Sequence, residues 1–555
     1  MKTHSSERSP FSRLLAWLTG EKTLLLITVV YSIGIGLLSL VVPVAVQSLV
    51  NSVAFGNLLQ PLAVLTLIVL AGLGFSAVLQ GMRTYVVELL QRRVLVSVSS
   101  DSMNRLLRAK VEAFDGYHGP ELVNRFLEVV TVQKSGAMLL IDGLSILMQT
   151  TIGMILLGVY HPWLLAFDFL LLLFILVVLF PMGRGAVKTS ILESKAKYEL
   201  VAWLEEIARW PALFKSKNGL QYATHRTDEL VQDYLTYRGK HFRILLRQIL
   251  GSLTMQAVAS ALLLGVGGWL VIQRQLTLGQ LVAAELVVTL VVSGFSKFGK
   301  QLETFYDLSA AVDKLGYLSD LPAEENGKEE LPRSMNGIGI TFRDVHFTYG
   351  EGKRAVLENA NWKLEAGGRY ALTGTGKSTV LNLIFGLRTP NKGGIDIDSI
   401  EIRDLNLDSM RAQIALVRQP EIFQGTLAQN LRLVSPEASS HDMRDALNRV
   451  GLLEDLREST DGLETKLSTG GMPFSQGQAT RLMIARAILS KPRLLILDEC
   501  LDPIEDPELR QRILTDLFAR TNPWTVLVVT NNTDVRALCD ETYLVKEGTL
   551  QMVRN

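Results

Sequence analysis

Arg369-Tyr-Ala-Leu-Thr-Gly-Thr-Gly-Lys-Ser-Thr379 begins as a strand, passes through two glycines and runs into the apolar helical stretch Val380–Phe385. A strand that turns through glycine into a helix leaves backbone amides aimed out of the helix N-terminus, where a phosphate can sit. In such a loop Gly374, Thr375 and Gly376 form the cradle, Lys377 meets the β- and γ-phosphates, and Ser378, followed by Thr379, can hold a magnesium ion. The usual spacing is G-x-x-x-x-G-K-[ST], whereas Gly374 stands only two residues before Gly376, so this loop is three residues short.

Working outward, Leu494-Leu-Ile-Leu-Asp498-Glu499 reads as a buried strand ending in two acids. An apolar strand has no use for charge, so acids at its end suggest metal and water positioning: Asp498 is expected to hold magnesium through water and Glu499 to polarise an attacking water. Upstream, Phe474-Ser-Gln-Gly-Gln478 leads into a helix over Ala479–Leu489. A second phosphate-binding helix start in one domain makes sense if it serves a nucleotide held by a facing copy. Taken singly, these pieces also read as a Gly-rich turn and a solvated strand end. The runs Gly339–Phe342, Arg369–Thr373, Arg493–Leu497 and Thr525–Val529 alternate with helical segments, so 338–555 is expected to be a soluble α/β domain.

The N-terminal part has another character. Of the 555 residues 48% are apolar, the net charge is only +1, and nothing in that balance points to nucleic acid. The two cysteines, Cys500 and Cys539, exclude a disulfide scaffold and fit a reducing compartment. No charged residue lies between Lys22 and Arg83. That is too long for one span of ~20 residues, and longer than the ~7–15-residue apolar core of a secretory signal, so it reads as a retained membrane anchor of two helices, Leu24–Val50 and Leu62–Met82. The block Ser135–Gly183, broken at Tyr160-His161-Pro162, gives spans three and four. Gln248–Ile272 and Gly279–Ser296 give spans five and six.

The two long connections carry eight (Arg83–Lys134) and twelve (Arg184–Arg247) Lys and Arg residues, while the short turns carry only Arg274. That bias puts the long connections and both termini of a multi-pass protein in the cytoplasm, and the expected location is a bacterial inner (plasma) membrane. Helical spacing through Val86, Leu89, Leu90 and Val94 makes the connections helices that continue below the bilayer. They turn at Asp115–Pro120 and around Trp210-Pro211 or Lys217-Asn218-Gly219. The expected division is a membrane domain over 1–319, an acidic, proline-bearing linker over 320–337 and the α/β domain over 338–555.

The set of motifs resembles the ATP-binding cassette of ABC exporters, and the six spans with two long cytoplasmic connections look like the exporter membrane domain. The resemblance covers nearly the whole chain and implies ATP and Mg2+ as cofactors. It implies that Tyr349 stacks on adenine, that Gly374–Thr379 is Walker A, and that Gln419 is the Q-loop glutamine, a magnesium contact with Ser378 and Asp498. It further implies that Ser475, Gly477 and Gln478 are the signature facing a partner's ATP, and that Asp498 and Glu499 are Walker B and the catalytic glutamate. Three elements depart from the family. The phosphate loop is short; Asn531 stands where a γ-phosphate histidine is usual; and Cys-Leu-Asp-Pro-Ile-Glu505 follows Glu499 in place of Ala-Thr-Ser-Ala-Leu-Asp. An amide can hydrogen-bond phosphate but carries neither proton nor positive charge.

Two readings of function follow: an exporter subunit driving an unidentified substrate out of the cytoplasm by ATP hydrolysis, or a catalytically weak half that lends its signature to a competent partner. A third, an ATP-gated regulator or channel, has no feature that demands it. The expected partners are a second half-transporter, identical or different, the lipid bilayer and, for a peptide or protein secretion system, a periplasmic adaptor. No peptidase domain is expected before the first span. Asp142, Asp168 and Glu285 fall inside expected spans, where each either faces cargo or lies near a span end.

Overall fold

The first expected span, Leu24–Val50, is made of two helices, Lys22–Leu38 and Val41–Val53. Pro43 has no N–H to donate to the preceding turn, so the chain breaks at Ser39-Leu40 and restarts with Val44 N donating to Leu40 O. The computed structural model describes residues 10–53, 59–115, 119–296, 298–350, 355–456 and 461–553. Part of the expected polar turn at 51–61 and part of the turn at Asp115–Pro120 lie outside these residues.

The chain divides into two compact units, Met1–Ala109 with Ala113–Pro322, and Lys110–Glu112 with Ala323–Asn555. In the first unit, the helices Leu59–Arg108 and Lys217–Ile272 run 50 and 56 residues. At 1.5 Å per residue they are roughly 75–85 Å long, against ~30 Å of hydrocarbon, so each continues far beyond a bilayer. Leu144–Tyr160 and Pro162–Leu179 are separated by His161, whose extended backbone (φ −162°) and ring nitrogen, accepting from Trp163 N, start the second helix with Pro162 in its first position. Leu278–Ser296 completes the set. Among the described residues five helical segments are long and apolar enough to cross a membrane, and Leu278–Val291 is a shorter apolar one.

The second connection turns at Trp210, runs through one short helix, Pro211–Phe214, and turns again at Lys215-Ser216, while the expected turn residues Lys217-Asn218-Gly219 open the next helix, which Ser216 caps by accepting from Gly219 N. Asp142 sits in a π-helical turn, Leu139–Gly143. Asp168 is buried, and Glu285 partly so; both Asp168 carboxylate oxygens and Glu285 Oε2 have no hydrogen-bond partner among the described residues. At the fourth span Phe169 and Phe180 are exposed, whereas Phe167 is buried in the helix core.

The second unit is built on a six-stranded sheet, in the order Thr549–Val553, Glu541–Lys546, Arg369–Gly374, Thr525–Val529, Leu494–Asp498, Ile414–Val417. The four strands from Arg369–Gly374 to Ile414–Val417 pair in parallel. Successive side chains point to opposite faces, so Leu495, Leu497, Val526 and Val528 enter one core cluster while Leu494, Ile496, Leu527 and Val529 enter the other. Each such fully buried side chain contributes about 1.5–3 kcal/mol, which holds the strands in one register. A four-stranded antiparallel sheet, Leu357–Leu364, Ile340–Phe347, Lys392–Ile397 and Ile400–Glu401, packs its apolar residues into the second cluster. The acidic segment before it is pinned rather than loose: Glu324 takes a two-pronged ion pair from Arg411 at 2.7 and 2.8 Å, and Asn326 accepts from Leu407 N.

Candidate nucleotide site

In the parallel ladder Val529 pairs with both Leu372 and Asp498. Three neighbouring strands therefore end together, delivering Gly374–Thr375, Asp498–Glu499 and Thr530–Asn531 to the carboxyl edge of the sheet, where open α/β sheets bind ligands. The sequence-expected phosphate loop, the two acids and the switch position are thus brought to one place.

The phosphate loop makes its turn with Gly374 and Gly376 in left-handed backbone, at φ +97° and +93°. A side chain at Gly374 would collide with Val545 O, 2.2 Å from where its Cβ would stand. The short loop hugs the adjoining strand, and Thr375 N donates to Val545 O at 3.0 Å, so that amide is directed away from a phosphate. The helix Lys377–Ile384 follows at once. Lys377 Nζ lies 3.1 Å from Gly374 O and 3.2 Å from Glu499 Oε1. Ser378 is exposed at the helix start, and Thr379 is buried behind it.

Glu499 is exposed and held at φ +50°, with its N–H donating to Val529 O. Asp498 is paired with Arg418, Nε to Oδ2 at 3.3 Å, a charge contact rather than an aligned hydrogen bond. Burial pushes the Asp498 carboxyl above its ordinary range, with Glu499 adding to the push and Arg418 and Lys377 opposing it. Arg418 Nη2 also donates to Asn382 Oδ1 at 2.9 Å. Arg418 escaped the sequence reading. Its only signal was a charge directly after the apolar strand Ile414–Val417, and the register Val417 to Leu497 is what sets it beside Asp498. Gln419, its neighbour, is exposed.

Around this centre, Thr373 Oγ1 donates to Asn531 Oδ1 at 2.9 Å, tying the switch position to the phosphate-loop strand. The Tyr349 hydroxyl shares a 2.9 Å hydrogen bond with Thr379 Oγ1, and the Arg388 guanidinium stands 4.8 Å over the tyrosine ring. The tyrosine expected to stack on adenine therefore already carries a cation on one face. The residues expected to take magnesium do not fit it as they stand, because a guanidinium already neutralises Asp498.

The second helix start, Gln476–Leu489, is capped reciprocally: Ser475 Oγ accepts from Gln478 N, and Gln478 Oε1 accepts from Ser475 N at 3.0 Å. Gln478 Nε2 donates to Asp455 at 2.9 Å. A Cβ on Gly477 would stand 2.8 Å from Pro503 O, so only glycine lets the segment after Glu499 lie against the signature.

Residues 357–502 match the ABC transporter family model, and residues 25–294 match that of the ABC transporter transmembrane region. The chain is an ABC transporter. It has the exporter-type half-transporter plan, a helical membrane region fused to one cassette. This transporter is 28% identical to the Mycobactin import ATP-binding/permease protein IrtB of Mycolicibacterium thermoresistibile, across 56% of the chain and 54% of that protein. It is 29% identical to the Multidrug resistance-like ATP-binding protein MdlA of Escherichia coli, across 52% of the chain and 50% of that protein. These alignments span about half the length of each relative. With the Alpha-hemolysin translocation ATP-binding protein HlyB of Escherichia coli O157:H7 it shares 24% identity across 97% of the chain and 78% of that protein. A bacterial Atm1-family ABC exporter with ATP bound superposes with a TM-score of 0.79 at 20% identity, covering 97% of this chain and 94% of its own, which establishes the fold.

Proposed function

We propose that this transporter is one subunit of a two-cassette exporter, coupling ATP binding and hydrolysis to movement of a substrate out of the cytoplasm, and that its own Walker side is catalytically weak. The single observation that carries the second part is the closed phosphate loop, in which Thr375 N is committed to Val545 O and Lys377 to Gly374 O and Glu499. Loss of one preorganised charge-stabilising donor costs ~10²–10³-fold in rate in other enzymes. Asn531, bonded to Thr373, adds a second deficit. ATP held through Tyr349, Lys377 and Ser378 then turns over slowly, while Ser475, Gly477 and Gln478 serve the nucleotide of a facing cassette. Magnesium-dependent hydrolysis in this reading takes place at that facing cassette.

The Lys and Arg content of the long connections supports cytoplasmic cassettes and termini. The similar proteins are named for mycobactin import, multidrug resistance and alpha-hemolysin translocation. The near full-length match to the last supports a peptide or protein secretion system with a periplasmic adaptor as the alternative role. Glu499, exposed at its strand end, favours a second arrangement, a homodimer in which the shortened loop still works.

The test is to purify the transporter from native membranes with whatever accompanies it and trap nucleotide with vanadate and a photoreactive ATP. Trapped label on a different, accompanying subunit is expected. Vanadate-dependent label on this chain in a homodimer overturns the weak-site reading.

A further inference from the structure

We propose that Arg418 stands in place of the divalent cation at this chain's own Walker side, so that the site takes a nucleoside triphosphate without Mg2+. This rests on the reading of the cassette as nucleotide-binding. A carboxylate at the end of a buried strand needs a counter-charge, and Asp498, with 14% of its side chain exposed, has one in Arg418 at 3.3 Å. The same guanidinium donates through Nη2 to Asn382 Oδ1 at 2.9 Å. Asn382 lies four residues after Ser378 in the helix Lys377–Ile384, hence on the same helix face one turn further in. Arg418 therefore bridges the strand end and the helix face that a metal shared by Ser378 and Asp498 would have to join. A doubly charged ion placed there would be repelled by the guanidinium beside it.

The rest of the site agrees. Lys377 is paired with Glu499 at 3.2 Å, so the two carboxylates and the two cations neutralise one another within the protein. A triphosphate entering the site can draw Lys377 onto its oxygens and find Arg418 already beside its path, with no ion required. A guanidinium also offers several N–H donors in a fixed fork, which suits phosphate oxygens.

The experiment measures binding of a fluorescent ATP analogue to the full chain in detergent or nanodiscs, with excess Mg2+ or with EDTA. For the unaltered chain the two affinities should agree within about threefold, whereas two ligands that assist each other's binding are typically coupled by ~5–150-fold. Arg418→Ser should bind about tenfold tighter with Mg2+ than without, and adding Asp498→Asn should remove that gain. Arg418→Lys keeps the charge and should stay metal-indifferent, which also separates charge from folding. Mn2+ as a spin probe gives a readout free of turnover: nucleotide should immobilise it on Arg418→Ser and not on the unaltered chain. Binding by the unaltered chain that Mg2+ tightens tenfold or more, with Arg418→Ser unchanged, overturns the proposal. Absence of nucleotide binding under every condition in every variant overturns it together with the nucleotide-site reading beneath it.

Discussion

Gly477→Ala adds a single methyl group where the geometry leaves no room for one. The new Cβ would stand 2.8 Å from Pro503 O. Relaxed carbon–oxygen contacts lie at about 3.3 Å, so the signature helix or the segment after Glu499 must retreat by about 0.5 Å. The obstacle is backbone, which cannot swing aside as a side chain can, and overpacking of this kind costs ~1–3 kcal/mol. A reacting group displaced by ~1 Å can lose ~10²-fold in rate, and preorganised sites tolerate only ~0.5 Å. If the signature serves the facing cassette, ATPase turnover of the assembled transporter should fall about tenfold to a hundredfold, each tenfold being ~1.4 kcal/mol. Glu499→Gln, on this chain's own side, should change it by less than about twofold, because an idle site has little turnover to lose. The assay is steady-state ATPase of the complex in nanodiscs, with the thermal midpoint of each variant recorded to set aside unfolding. The reasoning fails if Gly477→Ala keeps most of the activity while Glu499→Gln abolishes it, since hydrolysis would then lie at this chain's own Walker side.

Inserting three residues between Gly374 and Gly376, to restore the ordinary loop spacing, should free Thr375 N from Val545 O and tighten ATP binding several-fold; unchanged affinity by titration would count against the collapsed-loop account. Burial pushes the thiols of Cys500 and Cys539 up to about 12 from the ordinary 9.0, so maleimide labelling of the folded protein should stay slow and rise little up to pH 9; rapid labelling of either residue before unfolding would contradict its burial. Glu324→Ala removes the two-pronged partner of Arg411, a charge-assisted contact of about 1.5–3 kcal/mol, and should raise tryptic cleavage at Lys328 and Arg333 several-fold in a timed digest. An unchanged digest would show that other contacts hold that segment.

The apolar segments, the order of the nucleotide motifs and the α/β character of the C-terminal half were legible in the sequence, because each is a local pattern. Hydropathy over ~20 residues, alternation along strands and glycines before a Lys-Ser pair depend on neighbours within one element. The Pro43 break was equally local, and was missed only because the uncharged run around it is continuous.

What the sequence by itself determined is that this chain is a membrane protein carrying a nucleotide-binding α/β domain whose phosphate loop is three residues short. The tertiary structure alone decided how the charges of that site are spent. Arg418 meets Asp498 because the strands Ile414–Val417 and Leu494–Asp498 pair in parallel with Val417 beside Leu497. Tyr349 meets Thr379 across 30 residues of chain, and Lys377 meets Glu499 across a much longer stretch. Such pairings follow from sheet order and register, which the burial of both sheet faces fixes together, and no window of sequence contains them.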